Sequence, residues 1–263
     1  MKRYLSIIRS GLISQIFFRF DFIFAIVGSI IQMILIYFLW KSIFAADPQG
    51  LSSFTFMTAF TYLAVSGTIR GLVETWMEYS LSNSIIRGDI LIDLVLPVDL
   101  HLRTLANSFS SFIGKVLTTA VPSFLILFLV FRIPVPTGLN ALLFSVSVIF
   151  SLLISVNFEF FVGVSAFELE SIIGPKFLKD SIILFFSGAI IPIPFFPEAF
   201  QSVLMVLPFQ AMFHTPVSIF LGNFSTARAF KMLLVQFFWM FFFMGVGRLF
   251  YRKLIVRLTI NGG

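Results

Sequence analysis

Apolar runs long enough to cross a bilayer recur along the whole of this chain, and that recurrence restricts its fold more than any other feature. A crossing needs about 20 predominantly apolar residues. Such runs are read at about Phe22 to Phe44, Ser53 to Val73, Ser108 to Phe131, Leu139 to Ser165 and Ala229 to Gly247. Of the 263 residues 59% are hydrophobic and only 11% are charged, which leaves too little polar material to clothe a water-facing domain. The expectation is an all-α polytopic membrane protein forming one transmembrane domain over residues 1–263, with no separate soluble catalytic domain.

The segments between the runs carry the remaining information. Asp47-Pro48-Gln49-Gly50 reads as a turn after the first run. At the start, Leu5, Ile8, Leu12, Ile16 and Phe20 recur at spacings of three and four, with Lys2, Arg3, Arg9 and Arg19 largely on the other side. This pattern reads as an amphipathic helix over residues 1–20 lying in the membrane interface, the alternative being a ragged extension of the first run. Polar residues within it, such as Gln15, argue against a signal peptide. The longest polar stretch spans 74–107, and within it Ile90 to Pro97 is too short to cross a bilayer. It reads either as a solvated connector or as an element that docks on a soluble partner. Pro122 is expected to kink the third run without breaking it.

The fifth apolar run differs from the others. Ser181 to Ile191 is short, and Pro192, Pro194 and Pro197 follow within a few residues; Pro208 and Pro216 break the next apolar segment. Prolines so spaced cannot continue one helix. Short helices that dip into the membrane and return are expected over 192–227, an irregular backbone tolerated only against protein or a wet cavity. With the N-terminus inside and six crossings, fourteen of the eighteen Lys and Arg face the cytoplasm, leaving Lys41, Arg132, Arg228 and Lys231 outside. Both termini are therefore expected to be cytoplasmic.

Several chemistries are excluded or disfavoured. The lone Gly-Lys pair, Gly114-Lys115, lacks the upstream glycine and following hydroxyl of a phosphate-binding loop, so this chain is expected neither to bind ATP nor to be an enzyme. No catalytic residue, metal site or cofactor site is read, since the chain has no cysteine and its two histidines, His101 and His214, lie far apart. The net charge of +6 suits anchoring at an anionic leaflet, and no clustered basic face points to nucleic acid. Asn157 and Glu159 lie on the fourth run; Glu159, near its cytoplasmic end, reads as an interfacial carboxylate, or the two read as lining for a substrate path, or Glu159 as the partner of a basic residue on a neighbouring helix. Gly67 and Gly71 form a small-residue motif that permits close helix packing.

Four features taken in order carry a family resemblance: the basic N-terminal amphipathic helix; Ile86-Arg87-Gly88-Asp89-Ile90-Leu91-Ile92-Asp93-Leu94-Val95-Leu96-Pro97-Val98; Phe186-Ser187-Gly188-Ala189-Ile190-Ile191-Pro192 running into Phe196-Pro197; and Leu207-Pro208-Phe209-Gln210 followed by Pro216 to Gly222. Over essentially its full length the chain resembles the ABC-2-type permeases, the membrane subunits of type V ABC exporters, and among them the short chains often encoded as permease pairs. The resemblance implies six transmembrane helices, an N-terminal interfacial helix, a cytoplasmic coupling helix and a re-entrant pair of short helices before the last span. It assigns Arg87, Asp89, Asp93 and Pro97 to coupling with an ATP-binding cassette subunit, which would hold ATP and magnesium. The hairpin marked by Pro192, Pro194, Pro197, Pro208 and Pro216 would cap the outer end of a path formed with a second permease, identical or diverged. The site of action would be a cell membrane, the bacterial inner membrane, with a hydrophobic or amphiphilic substrate. A stand-alone secondary transporter or channel is the alternative; it would need ion-coupling carboxylates and usually an internal repeat. An intramembrane enzyme acting on lipid would need a metal or acid cluster that is not visible.

Overall fold

The computed structural model describes residues 2–17, 19–46, 55–169 and 171–261. The turn expected at Asp47 to Gly50 and the start of the second run at Ser53 lie outside them. The described residues form helices and no strand. In chain order these are α1 (Lys2–Phe17), α2 (Arg19–Ala46), α3 (Phe56–Val73), α4 (Met77–Ile86), α5 (Ile90–Val95), α6 (Leu100–Lys115), α7 (Val121–Leu129), α8 (Gly138–Val164), α9 (Ile173–Phe186), α10 (Glu198–Leu204), α11 (Pro208–Met212), α12 (His214–Phe220) and α13 (Thr226–Asn261).

Five stretches are long and apolar enough to cross a membrane: Ile23–Ala46, Phe56–Ile86, Leu100–Leu129, Gly138–Phe167 and Thr226–Ile255. Two of them reach further into the polar stretch 74–107 than the hydropathy of the sequence indicates. Helix resumes at Met77 and again at Leu100, because Glu78 and His101 find partners inside the bundle and need not face water. α9, at 14 residues, falls short of a crossing on its own.

Polarity is inverted relative to a water-soluble bundle. Leu35, Phe24 and Leu234 are exposed, whereas Ser66, Ser147, Ser151, Gln210, Thr215 and Gln236 are buried. In hydrocarbon the outward face needs no polar cover, and hydrogen bonds between helices supply part of the cohesion. Gln236 on α13 shows how: its amide donates to the Ser147 carbonyl of α8 (3.1 Å) and the Ala211 carbonyl of α11 (2.7 Å), and its oxygen accepts from Ser147 Oγ (2.9 Å).

Small residues set the closest approaches. A Cβ on Gly163 would meet Glu78 Cα at 3.1 Å, which brings α4 against α8, and one on Gly247 would lie 3.3 Å from Phe160, which seats α13. The Gly67/Gly71 motif packs within the chain, Gly67 under Gln32 of α2 and Gly71 beside Thr119. Thr119 belongs to a π-helical turn, Val116–Ala120, where the Val121 N–H donates to the Val116 carbonyl. Widening the helix by one residue there accommodates Pro122 at the start of α7, so α6 and α7 form one bent span.

Candidate functional site

Two regions gather the polar chemistry, both at the end of the bundle where α1, α5 and the later part of α13 meet. There Arg3 of α1 donates to the Pro97 carbonyl (3.0 Å), Ser110 of α6 donates to the Ile8 carbonyl (3.1 Å), and Arg248 of α13 pairs with Asp99 (3.1 Å). Asp99 also caps α6, its carboxylate accepting from the Leu102 N–H at 3.0 Å.

The first region is a break in the second long helix. α3 ends at Val73, and α4 restarts at Met77 after Trp76 has adopted a left-handed conformation at φ 57°. A break within a long helix leaves backbone N–H groups without helical acceptors. Glu159 of α8, only 2% exposed, supplies them: its carboxylate accepts from the N–H groups of Thr75 (3.3 Å) and Met77 (3.2 Å) and from the hydroxyls of Thr75 (2.6 Å) and Ser155 (3.3 Å). Its charge also sits at the N-terminus of α4, where the helix dipole favours an anion. The Lys115 ammonium donates to the Glu74 carbonyl on the other side of the break. Asn157, two residues beyond Ser155 and so on another face of α8, takes a different partner: its Oδ1 lies 2.8 Å from His101 Nε2, and the imidazole stacks on Phe160 with centroids 4.1 Å apart. Asn157 and Glu159, both named from the sequence as possible lining of a substrate path, therefore serve separate contacts within the bundle.

Beside the break, Glu78 of α4 meets α9. Lys179 Nζ lies 2.7 Å from Glu78 Oε1, and Lys176 Nζ lies 3.9 Å from the same oxygen and 4.2 Å from the centre of the Trp76 ring. Asp180 pairs with both lysines, at 3.1 Å from Lys179 and 2.5 Å from Lys176. Sequence reading passed over Glu78 and Lys179, although a lysine at the start of an apolar run is a signal that a carboxylate faces it.

The second region is the polar connector, reduced to the segment between α4 and α6. Gly88, at φ 82°, turns the chain out of α4 into α5. Arg87 and Asp89 flank that turn and are exposed. Asp93 is tied back to α6 through Arg103 at 2.6 Å, and Pro97 closes the segment with its carbonyl on Arg3. Ile92 and Val95 are 70% and 85% exposed, and Ile86 and Leu91 lie exposed beside them. A six-residue helix thus presents an apolar face edged by Arg87 and Asp89.

The proline-rich region is a run of short helices, each with proline at its cap or in its first turn, where no helical N–H is needed. Pro192 caps a 3₁₀ turn at Ile193–Phe195 that contains Pro194, Pro197 caps α10, Pro208 opens α11 and Pro216 lies in the first turn of α12. These pieces are anchored from within: Phe195 stacks on Trp40 at 5.4 Å, Ser66 donates to the Ala189 carbonyl at 3.3 Å, and the Tyr62 hydroxyl lies 2.9 Å from His214 Nδ1. A groove of about 670 Å³ with almost wholly apolar walls, among them Leu72, Phe112, Phe124, Phe128 and Val148, opens beside α6 and α7. Among the described residues no three His, Asp or Glu side chains converge in a way that could hold a metal ion.

A family described as ABC-2 family transporter protein matches residues 30–262. No curated protein matches the chain.

Proposed function

The chain belongs to the ABC-2 transporter family and is a multi-pass membrane permease of an ABC transporter, and from that premise we propose that it is the permease subunit of an ATP-driven exporter, docking its ATP-binding cassette subunit through α5. The exposed apolar face of α5 carries this reading. A short helix with Ile92 and Val95 turned outward is poorly placed in water unless a protein covers it, and it lies between α4 and α6 at the end where α1 and α13 also meet. That end is assigned to the cytoplasm by the distribution of Lys and Arg.

In this reading ATP and magnesium are held by the partner subunit, and hydrolysis occurs there. α9 and the segment 187–197 together make a sixth crossing, and α10 to α12 form a re-entrant element at the outer end. Contacts supporting this are Lys179 with Glu78 midway along α9 and, beyond its C-terminal end, Phe195 with Trp40. The substrate path lies between two permease subunits, and the large apolar groove suits the alkyl or aromatic part of a hydrophobic or amphiphilic substrate. An ion-coupled transporter has less support, because the Glu159 carboxylate is engaged by four hydrogen bonds.

Co-purification tests the docking. Wild-type chain is expected to retain an ATP-binding subunit in detergent, and Ile92→Asp with Val95→Asp to lose it, since two carboxylates would be buried without partners. Arg87→Ala and Asp93→Asn are expected to retain the subunit but to lower the ATPase activity of the reconstituted complex. Full retention by the double aspartate variant would exclude α5 as the docking element.

A further inference from the structure

α4, α5 and α6 enclose a polar cavity of about 320 Å³. On α6, Thr104, Asn107, Ser108 and Ser111 recur at spacings of three and four and form one stripe of its wall. Ser80 and Ser84 of α4 line it as well, one turn apart. Among the described residues Ser80, Ser84, Asn107 and Ser111 make no side-chain hydrogen bond. Trp76, 60% exposed, adds a ring to the wall at the point where the chain is left-handed.

The two charged residues of the cavity cancel, since Arg103 Nη1 lies 2.6 Å from Asp93 Oδ1. An ionic headgroup would have to part that pair and leave one partly buried charge without its partner. The groups still free are three hydroxyls and an amide, each side chain able both to donate and to accept. A neutral, hydroxyl-rich group matches them. One helical turn further along, the chemistry changes. Ser108 is followed four residues on by Phe112, and Thr75 lies three residues beyond Leu72; Phe112 and Leu72 both wall the apolar groove of about 670 Å³. From Phe112 to Phe128 that groove follows about 24 Å of helix.

We propose that cavity and groove form one head-and-tail site, which binds an amphiphile carrying a neutral, hydroxyl-rich headgroup, a glycosyl or polyol group, on an alkyl chain. The head lies among Ser80, Ser84, Asn107 and Ser111, with the Trp76 ring against its C–H face, and the tail lies along Phe112, Val116 and Phe124. The hydroxyls give the headgroup its selectivity, and burial of the alkyl chain gives most of the affinity. That this amphiphile is the transported substrate rests on the permease reading above; that it binds does not.

Photolabelling of the full chain in phosphatidylcholine nanodiscs tests the site. Two probes carry the same alkyl chain with a diazirine near its end, one headed by glucose and the other by phosphocholine, and labelled peptides are mapped by mass spectrometry. The glucosyl probe is expected to label residues 112–128 several-fold more than the phosphocholine probe, and excess free glucose is expected not to compete, because it lacks the tail. Asn107→Leu with Ser111→Leu, which removes polar groups that hold no partner in the fold, is expected to bring the two probes to equal labelling. Ser80→Ala with Asn107→Ala, both at exposed positions, is expected to narrow the preference and serves if the leucine variant fails to fold. Leu125→Trp, which fills part of the groove, is expected to lower labelling by the glucosyl probe several-fold. Equal labelling by the two probes in the wild-type chain, a preference unchanged in the cavity variants, labelling unchanged in Leu125→Trp, or displacement by free glucose would each overturn the head-and-tail site. A chain that retains an ATP-binding subunit yet shows no headgroup preference would refute this site and leave the permease reading intact.

Discussion

Glu159 shows what one side chain does in this protein. Its carboxylate replaces the acceptors that a continuous helix would have offered at Thr75 and Met77. Removing it leaves buried N–H and hydroxyl groups unpaired, so Glu159→Ala is expected to lower stability by about 3 kcal/mol, read as a drop in the apparent Tm in detergent, whereas Glu159→Gln, which keeps one carbonyl oxygen, should cost about half of that. Equal Tm values for the two variants would show that the carboxylate is not the cap. The sequence marked Glu159 as noteworthy through its place in an apolar run, but its partners at the break, Thr75 and Met77, lie more than eighty positions away. No local pattern encodes a contact of that range. The same holds for Lys179 and Glu78, separated by 101 positions. What the sequence does encode is the penalty for an unpaired charge in hydrocarbon, which implies that a partner exists without saying which.

Among the elements, the two ends of the legibility scale are the proline-rich region and the α3–α4 break. Pro192, Pro194, Pro197, Pro208 and Pro216 each remove a helical N–H, so the fragmentation of that region follows from covalent structure alone. The break at Glu74–Trp76 contains neither proline nor glycine and could not be read. It is held by tertiary contacts: Glu159 from α8, Lys115 from α6 and the Lys176 ammonium over the Trp76 ring. Gly88 lies between these cases. At φ 82°, with open space where a Cβ would stand, its conformation is what matters and not its neighbours. Gly88→Ala is expected to destabilise the α4–α5 turn by about 1 kcal/mol, and hydrogen exchange at residues 90–95 should quicken several-fold while that of α8 is unchanged. Unaltered exchange in α5 would mean that the turn does not set its position.

For the molecule as a whole, apolar runs and charge placement were enough to establish an all-helical multi-pass membrane protein, because bilayer thickness sets the length of a span and water is absent from its interior. The number of crossings was less legible. Five stretches satisfy the length criterion, and the short fifth run, Ser181 to Ile191, becomes a helix plus an irregular segment whose path is set by Ser66 and Trp40 on other helices. The whole-molecule claim is that an ATP-binding subunit drives this permease from the end where α1, α5 and α13 meet. Site-directed cross-linking in the cysteine-free chain tests it most directly: Val95→Cys on α5 is predicted to form a covalent adduct with the ATP-binding subunit, while Leu35→Cys on α2 and Leu234→Cys on α13, equally exposed but facing lipid in this account, are predicted to form none. Adducts from Leu35→Cys or Leu234→Cys with none from Val95→Cys would contradict it.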